Sequence, residues 1–107
     1  MLVANLLVLA GGIVEGGAGR PGVVSAYVVL NEGKQSRLFK VHGPTDAPMV
    51  IELDAATTVD LARFRRELAD DLEPTLADLR ARGGSPAIAT PKPEWVTSVV
   101  ERYLGKN

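Results

Sequence analysis

Three groups of residues in this 107-residue chain have types and spacings that suggest chemistry. Gly17-Ala18-Gly19-Arg20-Pro21-Gly22 matches the letters of G-x-G-x-x-G, a pattern whose glycines let a phosphate approach the backbone where a helix begins. Here the glycines lead into Val23-Val24-Ser25-Ala26-Tyr27, a β-branched run that reads as a strand, so a hairpin loop is the plainer interpretation. The alternative is a ligand site in the glycine-rich loop 16–22. There Gly17, Gly19, Arg20 and Gly22, with Glu15 beside them, would hold a phosphorylated or other anionic ligand.

The second group is Glu67, Asp70 and Asp71, at i, i+3 and i+4, with Glu73 close behind. Carboxylates on one helix face can hold a divalent cation. However, Arg63 and Arg66 stand four residues before Glu67 and Asp70, and Asp78 stands four before Arg82. Such pairs mark a solvated helix face and contribute about 0.2–0.5 kcal/mol each, and this is the reading adopted. The third group is the aromatic pair Trp95 and Tyr103, a residue type enriched at interfaces.

No catalytic residue, metal or cofactor is assigned. The chain has no cysteine, which rules out disulfides, thiolate metal sites and a cysteine nucleophile. His42 is the sole histidine and falls on a strand face with Lys40, and no serine lies in a recognisable nucleophile motif.

Bulk properties set the frame for these groups. The composition is 46% hydrophobic and 23% charged, which suits a globular chain, and the length suits one compact domain over residues 1–107. Lys and Arg number 12 against 13 Asp and Glu, for a net charge of −1. That balance lacks the excess of cations by which proteins neutralise phosphates, so no nucleic-acid partner is expected. Met1 to Ala10 is apolar, but no Lys or Arg precedes Arg20, so the basic region of a signal peptide is missing. The run is also shorter than the ~20 residues a membrane helix needs. No membrane association is expected, and the lack of cysteine favours the cytoplasm.

The elements that would position these residues follow from pattern. Periodicity cannot separate strand from helix in Leu2 to Val14; its Val and Ile content favours a bent strand over a short helix ending at Gly11. Val23 to Leu30 is apolar on both sides, as a central strand is. Asn31 to Lys34 forms a turn, Ser36 to His42 a strand, and Met49 to Leu53 a strand with Met49, Ile51 and Leu53 on one face. Thr57 or Thr58 is placed to cap a helix with the stripe Leu61, Phe64, Leu68, Leu72, Leu76 and Leu79. A kink or restart is expected at Pro74, and Gly83-Gly84 ends the helix. Ala87 to Ala89 suits a short edge strand, and Pro93 opens a final helix that Gly105 stops.

Two stretches resemble known families. Ile13 to Gly22 followed by Ser25 to Leu30 resembles the opening of a ribonuclease H-like domain. That likeness implies an Asp where Glu15 stands and a second carboxylate on a helix after the third strand, whereas here another strand follows. Three strands and a helix ending in Leu76 to Pro86 resemble the layout of the HicB antitoxins over about half the chain, without a diagnostic motif. Both are likenesses of fold and imply no function.

The expected fold is α+β: an antiparallel meander of three or four strands, covered on one face by a long kinked helix and a C-terminal helix. The other face would stay apolar and open, as partner surfaces are. The expected function is therefore a protein-interaction or regulatory module, acting as a homodimer or with a small protein partner. Val24, Tyr27, Val29, Trp95 and Tyr103 are the expected interface residues.

Overall fold

The computed structural model describes residues 6–16, 19–53, 60–84 and 86–105. Its elements are β1 (Leu6–Val14), β2 (Val23–Glu32), β3 (Gln35–Pro44), β4 (Met49–Leu53), α1 (Leu61–Ala81), β5 (Ile88–Ala89) and α2 (Pro93–Gly105). The strands form one sheet in the order β4-β3-β2-β1-β5, with every neighbouring pair antiparallel. The class and the meander are those expected, with β5 adding a fifth strand beside β1. Among the described residues no helix is long and apolar enough to cross a membrane.

β2 sits at the centre because neither of its sides can face water. Val24, Ala26, Val28 and Leu30 pack with Phe39 and Val41 of β3 against Val96, Val99 and Val100 of α2. Tyr27, on the alternate side, packs with Leu38 against Phe64 and Leu68 of α1, and Val14 meets Leu72 and Leu76. Successive strand residues point to opposite faces, so α1 and α2 cover opposite faces of the sheet. This differs from the expected placement of both helices on one face. A strand apolar on both sides needs cover on both sides, and two helices on one face would leave the other bare.

β1 is a strand, bent by a bulge at Leu9, where its pairing with β2 shifts between Val8 and Ala10. The β2–β3 turn passes through Gly33 at φ 60°. Thr57 and Thr58 lie outside the described residues, and the cap of α1 is Asp60, whose Oδ1 accepts the Arg63 backbone N–H at 3.1 Å. α1 runs unbroken through Pro74, so the expected restart does not occur. Pro74 lies on the exposed side of the helix, where water can serve the carbonyl that lacks its usual donor. The helix closes as expected at the glycine pair: Gly83 N–H donates to Arg80 O at 3.0 Å and Gly84 N–H to Leu79 O at 3.0 Å.

The apolar face of β4 is only partly covered: Leu53 packs beside the α1 core, but Met49 and Ile51 do not. Met49 and Ile51 lie on the side of the sheet that carries α1, but α1 spans β1 and β2 and stops short of β4. They remain 54% and 42% exposed.

The two cores test this layering. Leu72→Ala and Phe39→Ala, one on each face, are expected to lose about 2–5 and 3–5 kcal/mol. Urea unfolding should show one transition in each variant, and a Phe39→Ala chain as stable as the parent would refute a core under α2.

Candidate functional site

The glycine-rich loop is shaped by the chain's own crossing. A Cβ on Gly16 would lie 2.1 Å from Arg20 O, and one on Gly22 would lie 2.7 Å from Val14 O. Only glycine lets the loop fold back against the end of β1, and Thr45 N–H pins it by donating to Gly22 O at 2.9 Å. Gly17 lies outside the described residues, and Gly19 is exposed at the tip. Arg20 turns towards α1, where its Nη1 is 3.3 Å from Asp78 Oδ2, an oxygen that Arg82 also approaches at 3.3 Å. The expected anionic-ligand set is therefore divided: Arg20 pairs with α1, while Glu15 lies across the loop in a separate cleft.

That second cleft has a volume of about 610 Å³. Ile13, Ala89 and Pro91 form its apolar surface, with Trp95, half-buried, beside them. Glu15, Lys92, Thr45 and Thr90 supply its polar groups. Glu15 and Lys92 make no ion pair among the described residues. Sequence reasoning missed Lys92 because it stands 77 residues from Glu15 along the chain and joins it only in the lining of this cleft.

The acidic cluster of α1 faces inward more than its spacing implies. Tyr27 OH donates to Glu67 Oε2, and Arg63 Nε donates to Glu67 Oε1 at 2.9 Å. Ser25, fully buried, donates to Asp71 Oδ2 at 3.1 Å, and Lys40 Nζ lies 2.6 Å from the same oxygen. The Tyr27 ring stacks on Phe64 at 4.3 Å, with Lys40 Nζ 5.5 Å from its centroid. His42 pairs across the strands with Ser25. Glu67 and Asp71 thus pin α1 to the sheet, each through different partners, while Asp70 is exposed and Glu73 reaches Arg80 at 3.3 Å. Among the described residues no three His, Asp or Glu side chains are placed to hold a metal ion together.

The pinning contacts shift the acids. Glu67 is held below the usual carboxylate range first by the Tyr27 hydroxyl and then by Arg63. For Asp71, burial pushes upward, but Lys40 and the Ser25 hydroxyl outweigh it and the net shift is downward. Burial and the Glu67 contact together push the Tyr27 phenol up.

Two of the five expected interface residues are buried and three are half-buried. Val24 and Tyr27 are enclosed by α2 and α1 and offer no surface to a partner. Val29 is half-buried beside the α1 core, and Trp95 and Tyr103 are half-buried against the α2 core, where Tyr103 meets Phe39 edge-on at 6.0 Å. Large apolar side chains are instead exposed at the sheet margins, among them Leu7 on β1, Ile88 on β5, and Met49 and Ile51 on β4.

Comparison with known proteins finds no matching family model, no matching curated protein and no matching solved structure.

A carboxylate whose pKa falls on folding contributes stability that is present above its unfolded value and lost as pH drops through its folded value. Unfolding midpoints are therefore expected to hold steady from neutrality to about pH 5 and to fall below about pH 4. Asp71→Asn should be less stable than the parent at pH 7 and lose less across that acid interval. Parallel pH profiles for the two proteins would show that Asp71 is not a pin.

Proposed function

We propose that this chain is a protein-interaction module that pairs with a second copy of itself through the open edge of β1. The observation that carries this reading is how much of that edge is unpaired. β1 spans nine residues, yet β5 pairs only with Ile13 and Val14. Along Leu6 to Gly12 the outward backbone groups have no strand partner among the described residues. The strand carries no charge and no proline, two of the devices that keep an edge from pairing, and its one protecting feature is the bulge at Leu9.

β4, at the opposite margin, has those devices. It is only five residues long, Pro48 precedes it, and Glu52 is held by Arg37 at 2.6 Å. Beside the β1 edge lies a groove of about 500 Å³ between Leu9 and Ala10 on one side and Leu68, Leu72 and Ile88 on the other. Ile88, in its lining, is 48% exposed, and Leu7, further along β1, is 57% exposed. An extended, uncharged, apolar segment fits such an edge, and β1 is itself such a segment. Antiparallel pairing of β1 with β1 would join two sheets into one, the same mode by which β1 meets both of its neighbours. The lack of cysteine supports a reducing compartment, the cytoplasm, for this assembly.

Light scattering over a concentration series tests the reading. The parent is expected at twice the chain mass, and Leu7→Lys at the monomer mass with an unchanged circular-dichroism spectrum. A parent that stays monomeric to its solubility limit overturns the reading. A dimer that survives Leu7→Lys but dissociates in Ile51→Lys would move the contact to β4 and also overturn it.

A further inference from the structure

We propose that the cleft between the glycine-rich loop and the start of α2 binds an aromatic amino-acid zwitterion. Its volume of about 610 Å³ falls within the range of about 300–1,000 Å³ typical of small-molecule sites. Three features select the ligand class. The first is an apolar lining of Ile13, Ala89 and Pro91 beside the flat ring of Trp95, which suits a planar apolar group. The second is the pair of opposite charges, Glu15 and Lys92, both exposed and neither in an ion pair among the described residues. The third is two hydroxyls, Thr45 and Thr90, that can donate or accept.

One cation and one anion at a single cleft disfavour a purely anionic ligand, because Glu15 repels what Lys92 attracts. Arg20, the cation of the glycine-rich loop, already faces Asp78. A molecule with both charges and an apolar ring satisfies the whole lining: its carboxylate meets Lys92, its ammonium meets Glu15, and its ring lies along Trp95. The polar network beneath α1 offers no such opening, since Ser25 is fully buried and the acids there are occupied. The ligand site does not depend on self-association, because neither Glu15, Lys92 nor Trp95 belongs to the open stretch of β1.

Trp95 is the only tryptophan in the chain, so its emission reports on the cleft directly. The experiment titrates the protein with L-phenylalanine, with phenethylamine as the cation-only analogue and 3-phenylpropionate as the anion-only analogue. L-Phenylalanine is expected to shift Trp95 emission saturably. Each one-charge analogue should bind about tenfold more weakly or worse, as expected for loss of one charged hydrogen bond. Lys92→Met should reduce the affinity for L-phenylalanine to that for phenethylamine, and Glu15→Gln to that for 3-phenylpropionate. Both variants alter exposed side chains, and circular dichroism checks that they fold. Lack of a saturable response to L-phenylalanine overturns the proposal. So do equal affinities for all three compounds, or folded variants that bind L-phenylalanine as the parent does. Running the series on the Leu7→Lys chain separates this result from the fate of the dimer.

Discussion

The structure depends on one strand with no side fit for water. β2 carries Val24, Ala26, Val28 and Leu30 towards one helix and Tyr27 and Val29 towards the other. Burying apolar surface is worth roughly 25 cal/mol per Å², so leaving either side bare would forfeit much of the stability of a domain this small. Helices on both faces answer that constraint. They also settle the position of β2 between β1 and β3, because a central strand is shielded at its edges as well.

Covering β2 creates a polar demand that α1 meets. Ser25 and Tyr27 share the strand side under α1, and a buried hydroxyl without a partner costs about 1–3 kcal/mol. The apolar stripe of α1, Phe64, Leu68, Leu72 and Leu76, places Glu67 and Asp71 one position before a stripe residue, at the border between the helix's buried and exposed sides. From that border their carboxylates reach the hydroxyls of the sheet, and Lys40 completes the balance of charge. Among the described residues every buried side-chain nitrogen and oxygen has a hydrogen-bond partner. The register of α1 on the sheet therefore rests on polar pins as well as on the apolar stripe.

Much of the fold was legible in the sequence because it follows from local rules. The turn at Gly33, the stop at Gly83-Gly84, the short strand at Ile88 and the start at Pro93 each follow from backbone chemistry within a few residues. What was not legible depends on distance in space. An amphipathic stripe says that a helix must be covered but not which face of a sheet covers it, so the stripe of α2 is equally compatible with either face. The spacing of Arg63 and Glu67 identified a real pair, yet spacing along one helix cannot show that Glu67 also serves Tyr27. The glycines of the loop were visible as glycines, while the reason for Gly16 and Gly22 is a backbone crossing that only the folded chain contains. Glu15 stands out beside the glycines whereas Lys92 does not, since the two meet only in the lining of a folded cleft.

The charges divide in a way that separates fold from surface chemistry. Arg20, Arg37, Lys40, Arg63, Arg80 and Arg82 all sit within 4 Å of a carboxylate of their own chain. Most of these pairs are exposed, and such pairs contribute about 0–1 kcal/mol each. Their larger effect is to neutralise the surface, so that little field remains to attract a distant partner. For a near-neutral chain of this kind, the proposed recognition is by contact, through apolar edge and shaped cleft. The glycine crossing links the two places where contact is possible. It ends β1 and returns the chain to start β2, and among the described residues only β5 pairs with the outer edge of β1. Because β5 is short, the N-terminal stretch of β1 has no outer strand partner among the described residues. Because β5 leads towards α2, Lys92 and Trp95 line the same cleft as Glu15. One short strand thus determines both how much edge is left bare and what lines the cleft at its end.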